Sequence, residues 1–341
     1  MTGSPLALLL ALLAAAALCG LLIVLLQPLL RRYALARPNA RSSHRTPTPQ
    51  GGGIAVIAAT VLVAAVAMAI IPEFRAAAPE WAGIAACAVA LAVVGAVDDI
   101  RPLEALPRLV LQVLIVAAAI ATLPPSLQVM PLLPWWLERM LMLLALVWLV
   151  NLTNFMDGID WMTVAEAVPI TAALGLFGLA GALPSGATLV AVALCGAVIG
   201  FAPFNRPVAR LFLGDVGSLP FGLLLGWLLI RLGEHYLAAA LLLPLYYLAD
   251  ATITLLRRWR DRQPLMTSHR CHFYQRALDG GMPVMWIIRR VALLNLVLAG
   301  LALSTLWAPA ASLLAILCGA ALVGYVLFDF ERSAGRAARS S

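Results

Sequence analysis

From one end to the other the chain alternates long apolar runs with short polar breaks. The runs fall at roughly 5–30, 54–72, 81–97, 106–123, 138–154, 164–183, 186–203, 218–233, 236–256, 285–307 and 311–328. Most approach the ~20 residues that a helix needs to cross a ~30 Å hydrocarbon core. The pattern therefore predicts an all-α polytopic membrane protein with about eleven transmembrane helices. The first run is long and lacks a small-residue cleavage site in the usual place, which predicts a retained helix and not a leader. The breaks leave no room for an inserted soluble domain, so one integral membrane domain is expected over residues 1–341.

Composition agrees: 63% of residues are hydrophobic, 11% are charged, and mean hydropathy is +0.98. The net charge of +7 comes entirely from arginine, because all 23 basic residues are arginines. Sorted by alternating breaks, only Arg75, Arg139 and Arg231 fall on one side and the other 20 on the opposite side. The positive-inside rule makes the rich side cytoplasmic, with the N-terminus periplasmic and the C-terminus cytoplasmic. The cytoplasmic loops are then about 31–53, 98–106, 155–163, 204–217 and 257–285. The five cysteines are scattered with no C-x-x-C pair, which excludes a disulfide framework or a zinc ribbon.

The polar residues on that side are not evenly spread. Asn151, Asn154 and Asp157 follow at i+3 spacing at the end of an uncharged run, so a helix carries them on one side before Gly158, Ile159 and Asp160. Amide and carboxylate oxygens converging there suit a hard divalent cation or a hydrogen-bonded ligand, against the plainer reading of a self-capping helix end. Asp98 and Asp99 close the third run, where adjacent like charges call for a cation or a shared proton. Asp215, in Gly214-Asp215-Val-Gly217-Ser218, stands at a helix start whose amides can face an anion, or serves only as an N-cap. The loop around His269, Arg270, Cys271 and His272 is dense enough in cationic side chains for a phosphate. So is the loop from Arg37 to Gly53, with Asn39, Arg41, His44 and a triple glycine. A plain lipid anchor accounts for the arginines equally well, though not for the two histidines. Asp250, inside an apolar run, needs a cavity or a partner. Residues and spacing alone point to a divalent-metal enzyme handling phosphate at a membrane surface.

These stretches resemble the polyprenyl-phosphate N-acetylhexosamine-1-phosphate transferase family, whose members start O-antigen and teichoic acid synthesis and include phospho-MurNAc-pentapeptide translocase. Five ordered motifs carry the likeness: Pro38-Asn39-x-Arg41-Ser-Ser-His44 with Pro47-Thr-Pro49-x-Gly51-Gly-Gly53; Asp98-Asp99; Asn151 to Asp160; Phe212-Leu-Gly-Asp215-x-Gly217-Ser218; and the His269/His272 loop. The resemblance implies transfer of N-acetylhexosamine-1-phosphate from a UDP-sugar to undecaprenyl phosphate with release of UMP. UDP-GlcNAc or a related UDP-N-acetyl-6-deoxyhexosamine is the expected donor. It implies Mg²⁺, with Mn²⁺ as a substitute, a bacterial inner-membrane location, no nucleic acid, and, as family members often dimerise, a homodimer. By the same likeness Asp215, Asn154 and Asp157 hold the metal; Asp98, Asp99, Asp157, His269 and His272 are the catalytic set. Asn39, Arg41, His44, Asn151, Asn154, Gly158, Ile159, Asp160, Phe212 and Arg270 bind substrate.

The chain departs from the family pattern at several positions. Gln50 stands where a basic residue is frequent, Trp161 where glycine is usual, and Arg270-Cys271 interrupts the histidines. The Arg41-Ser-Ser-His44 form, Trp161 and the interrupted histidines look more like the O-antigen type than the peptidoglycan enzyme, which is kept as the alternative. A transporter or flippase is the reading from a different class, and the near absence of mid-membrane charges other than Asp250 disfavours it.

Overall fold

The computed structural model describes residues 4–36, 47–264, 267 and 269–340. The apolar runs form helices in it: α1 (Pro5–Tyr33), α2 (Gly52–Ile70), α3 (Ala78–Ile100), α4 (Ala105–Ala121), α5 (Trp135–Met156) and α6 (Met162–Leu179). They continue with α7 (Ser185–Phe201), α8 (Asp215–Leu242), α9 (Leu245–Arg260), α10 (Phe273–Asp279), α11 (Val284–Ser304) and α12 (Ser312–Ser340). Among the described residues, eight helical segments are long and apolar enough to cross a membrane, those built on α1, α2, α3, α5, α6, α8, α11 and α12. The helices α4 and α7 are apolar but shorter, at 17 residues each. The protein is an all-α polytopic membrane protein, as the hydropathy pattern predicts.

One break and one short helix refine the pattern. The break expected near residues 234–235 falls at a kink: Tyr236, with φ −131 and ψ 57, is non-helical and joins two helices within α8. The second of them ends at Leu242, and the chain turns at Leu243–Pro244, where proline has no N–H to continue the ladder. Just before the kink Glu234 is partly exposed and His235 is exposed. The short helix α10 carries no hydropathy signal of its own and lies inside the long loop after α9.

The packing centres on α8, which is 89% buried over its most apolar window, against 28% for α1 and for α12. Lipid tails are as apolar as leucine, so helix association rests on close backbone approach and interhelical hydrogen bonds. The contact of α1 with α7 follows that logic: a Cβ on Gly196 or Gly200 would lie 2.2 or 2.3 Å from the carbonyl oxygens of Leu12 and Ala16. Polar residues inside the bundle are paired across helices. Asn295 of α11 donates to Glu166 of α6 at 2.5 Å, a fully buried carboxylate that the sequence pattern did not single out.

Outside the helices, β1 (Leu35–Ala36) pairs antiparallel with β2 (Thr48–Pro49). The segment after β2 is sewn to the stretch before α8: Phe212 N donates to Pro49 O, Gly52 N to Phe212 O and Gly53 N to Leu213 O, each at 2.9 Å. The glycine run is needed here because α2 starts against α8, and a Cβ on Gly53 would lie 2.1 Å from Gly217 Cα. Asn39, Arg41 and His44 lie outside the described residues.

Candidate active site at the ends of α3, α5 and α8

Three motifs far apart in sequence meet where the C-terminal ends of α3 and α5 face the N-terminus of α8. Asp99 accepts from the backbone N–H of Asp215 at 3.0 Å and of Val216 at 3.1 Å. The anion expected at this helix start is thus the protein's own carboxylate, held by two unsatisfied amides and the positive end of the helix dipole. Gly214 makes the approach by adopting φ +76, and a Cβ there would lie 2.6 Å from Asp99 Oδ2.

Asp98 takes the other direction. It accepts from Leu103 N at 2.6 Å and from Arg108 at 2.5 Å, and the same arginine lies 3.5 Å from Asp215 Oδ2. The like-charge pair is therefore relieved by splitting: one carboxylate goes to a helix N-terminus, the other to a guanidinium. Asn154 Nδ2 donates to Asp215 Oδ1 at 2.7 Å and to Ser218 Oγ at 2.9 Å, fixing the metal candidate from the α5 side. Asn151, one turn earlier, donates to Gln112 Oε1 at 2.9 Å and to Val147 O. Arg108 and Gln112, both on α4, were not among the expected site residues. Arg108 followed the acidic pair by only ten positions, which was the available signal.

Asp157 caps the end of α5 and accepts from the Thr163 hydroxyl. Burial, with the charges of Asp99 and Asp160 adding to it against the Thr163 bond, pushes its carboxyl up to about 7. Asp160 accepts from Ala209 N at 3.0 Å, and Ile159 is buried. Trp161 adopts φ 64, the left-handed conformation that suits glycine. The tryptophan is held there by its N–H on Asn205 Oδ1 at 2.8 Å and its indole N–H on Ala202 O at 2.7 Å. Gln50, the other departure, donates to the carbonyl of Asp99 at 2.9 Å and pins the end of α3.

The histidine loop packs beside this cluster. A Cβ on Gly158 would lie 2.1 Å from Tyr274 Oη, and that hydroxyl donates to Phe155 O at 3.2 Å. His272 stacks between His269, with centroids 5.1 Å apart, and Tyr274, at 6.0 Å. Its Nδ1 meets Asp250 Oδ1 at 3.1 Å, and Asp250 also accepts from the backbone N–H of Phe273. Asp250 thus has the partner its burial demands: it orients the imidazole and caps α10. The residues that interrupt the histidines bond elsewhere, Arg270 to Asp279 at 2.7 Å and Cys271 Sγ to Arg258 at 3.5 Å. His269 is half-buried with no hydrogen-bond partner on Nδ1, and burial, then His272 and Arg258, lower its pKa to about 4. Glu331 of α12 braces the loop by pairing with Arg257 at 2.7 Å and Arg276 at 2.9 Å.

The donor set suits a magnesium ion in kind. Asp98, Asp99 and Asp215 converge with a single arginine among them, and all the side-chain donors are hard oxygens. No group of three His, Cys, Asp or Glu among the described residues could hold an ion unaided.

The carboxylates thus gather at one end of an apolar membrane bundle, and the sequence comparisons give the class of protein. The profile of Glycosyl transferase family 4 matches residues 81–233, the stretch that contains Asp98, Asp99, Asn154, Asp157 and Asp215. The phospho-N-acetylmuramoyl-pentapeptide-transferase of Synechococcus sp. (strain JA-3-3Ab) is 34% identical over 255 residues, which cover 65% of this chain and 71% of that protein. The chain belongs to the polyprenyl-phosphate N-acetylhexosamine-1-phosphate transferase family within this group. The probable undecaprenyl-phosphate N-acetylglucosaminyl 1-phosphate transferase of Bacillus subtilis is 25% identical over 280 residues, 77% of this chain and 76% of the relative. The decaprenyl-phosphate N-acetylglucosaminephosphotransferase of Mycolicibacterium smegmatis is 29% identical over 216 residues, 58% and 53% of the two chains.

Proposed function

We propose that the protein transfers N-acetylhexosamine-1-phosphate from a UDP-sugar to undecaprenyl phosphate, releasing UMP, as the first step of O-antigen or related envelope polysaccharide synthesis. The donor is UDP-GlcNAc or a UDP-N-acetyl-6-deoxyhexosamine, and the enzyme sits as one domain in the bacterial inner membrane with its N-terminus periplasmic. The observation that carries the reading is the junction of Asp98, Asp99, Asn154, Arg108 and Asp215 at one end of the bundle. Two of the relatives act, by their names, on a polyprenyl phosphate with an N-acetylglucosamine group.

In the reaction a lipid phosphate oxygen forms a bond to the sugar-bearing phosphorus, and the bond from that phosphorus to the bridging oxygen breaks to leave UMP. Asp99 has both oxygens on the α8 amides, and Asp98 is held by Leu103 and Arg108. Their work is to set Asp215 and Arg108 in place, which suits attack by an already ionised phosphate without a general base. Mg²⁺, held by Asp215 with Asp157 and Asn154 nearby, would supply charge neutralisation for the diphosphate and the leaving UMP. Gly158 to Asp160 and Phe212 form the uracil side of the site, while His269 and His272 address phosphate or sugar, with His272 oriented by Asp250.

A second reading, transfer of phospho-MurNAc-pentapeptide, is favoured by the 34% identity to the Synechococcus relative. UMP release from purified protein with undecaprenyl phosphate, Mg²⁺ and a panel of UDP-sugars separates the two. EDTA-sensitive UMP with an N-acetylhexosamine donor supports the first reading, and UMP with UDP-MurNAc-pentapeptide alone supports the second. No UMP from folded protein with any donor overturns both.

A further inference from the structure

We infer that the end of the bundle opposite the carboxylate site binds the head of a zwitterionic phospholipid, one that carries a phosphodiester and a primary ammonium. Helices α3 and α8 run antiparallel, so Glu80 near the start of α3 lies about 28 Å from Asp99 at 1.5 Å per residue. There a cavity of about 230 Å³ is lined by Glu80, Trp81, Ser185, Gly186, Trp227 and Arg231. At ~30 Å³ per water it is roomier than a packing defect.

Its polar groups are incompletely satisfied. Trp81 is 3% exposed, and its indole N–H has no hydrogen-bond partner. Arg231 Nε is buried without a partner as well, and the arginine's ion pair with Glu80 is long, at 3.7 Å. Glu80 already accepts from the Trp227 indole at 2.9 Å. Arg231 is also one of the three arginines outside the arginine-rich side, so the lipid-anchor account of the others does not cover it.

Two idle N–H donors call for acceptor oxygens, and a phosphodiester supplies them. The pocket's formal charge is balanced by Glu80 and Arg231, which disfavours a plain anion and favours a ligand with a positive group to set on Glu80. The neighbouring feature commits the ligand to a lipid. An apolar groove of about 1020 Å³ runs along α1 and α2 past Leu10, Leu18, Leu62 and Val66, and Ala76 lines both this groove and the polar pocket. An acyl chain in the groove and its head in the pocket satisfy both.

The test reconstitutes the full chain in vesicles with equal phosphatidylethanolamine, phosphatidylcholine and phosphatidylglycerol, extracts it in mild detergent, and counts retained lipids by native mass spectrometry. Retention of one phosphatidylethanolamine per chain is expected. Arg231→Gln should reduce it about tenfold, the scale of one charge-assisted hydrogen bond. Trp81→Phe should also reduce it: the variant stays aromatic but loses the indole N–H together with the second ring, and as a change of no charge at a separate position it guards against misfolding of the arginine variant. Equal retention of the three lipids, no retained lipid, or wild-type retention by Trp81→Phe overturns the inference. So does displacement by soluble phosphoethanolamine at the same concentration as the lipid, since the groove would then contribute nothing.

Discussion

At one end of the antiparallel α3–α8 pair, Asp99 is bound by two backbone amides, while Asp98 and Asp215 share Arg108. At the other end Glu80, Trp81, Trp227 and Arg231 surround a cavity with indole and guanidinium N–H groups left over. Both ends use the same two helices and the same charge types. They differ in sign and in reserve: the first has more carboxylates than cations, whereas the second balances its charges and has spare donors. The lesson is that a charged residue near a membrane boundary is interpretable only with its partners across helices.

The comparison can be broken most sharply at the first end. Asp215→Asn should lower Mg²⁺-dependent UMP release on the order of a thousandfold while the protein still inserts and elutes as a single species. Glu80→Gln, at the far end, should leave the rate within severalfold, and an equal loss in both variants would show that the ends are not separate. Next comes Arg108→Gln, which leaves Asp98 and Asp215 facing each other without their shared cation. A loss of about a hundredfold is expected, with a raised Mg²⁺ requirement if the arginine also meets substrate phosphate.

Gly53→Ala sharpens the structural half of the contrast. Its Cβ would meet Gly217 backbone at 2.1 Å, which no side-chain rotation can relieve, so a destabilisation of about 1–3 kcal/mol is expected in thermal unfolding. The smallest effect concerns pH. His269 is held down to about 4, so the folded protein keeps it neutral where the unfolded chain would protonate it near 6.5. Its contribution to stability is present above pH ~6.5 and is lost as pH falls toward ~4. Melting curves at about pH 7.5 and about pH 5 should therefore show a slightly smaller drop for His269→Asn than for the unmodified protein. A drop of the same size in both would refute the neutral assignment.

Much of the site could be read in advance because its residues come in short, dense clusters. Asp98-Asp99, Asn151 to Asp160 and Gly214-Asp215 are polar islands in an apolar chain, and their position at run ends already put them at one surface. The partners were harder to read. Gln112 is a single amide inside an apolar helix, and its role with Asn151 depends on how α4 is rotated against α5. Trp161 read only as a departure where glycine is usual, yet Asn205 and Ala202 hold it in the left-handed conformation that glycine would adopt. The histidines read as interrupted because Arg270 and Cys271 separate them in sequence, whereas the fold turns both intervening side chains aside and stacks the rings.

The sequence by itself determined that the chain is a helical membrane protein and which stretches are polar enough for chemistry. The physical reason is that the bilayer imposes its thickness and its polarity locally, on every run of about twenty residues. Only the tertiary structure decided which carboxylate faces Arg108, which one caps α8, and that Asp250 serves His272. Those pairings depend on the register and rotation of helices far apart in the chain, set by close contacts such as Gly53 on Gly217, which leave no periodic trace in the sequence.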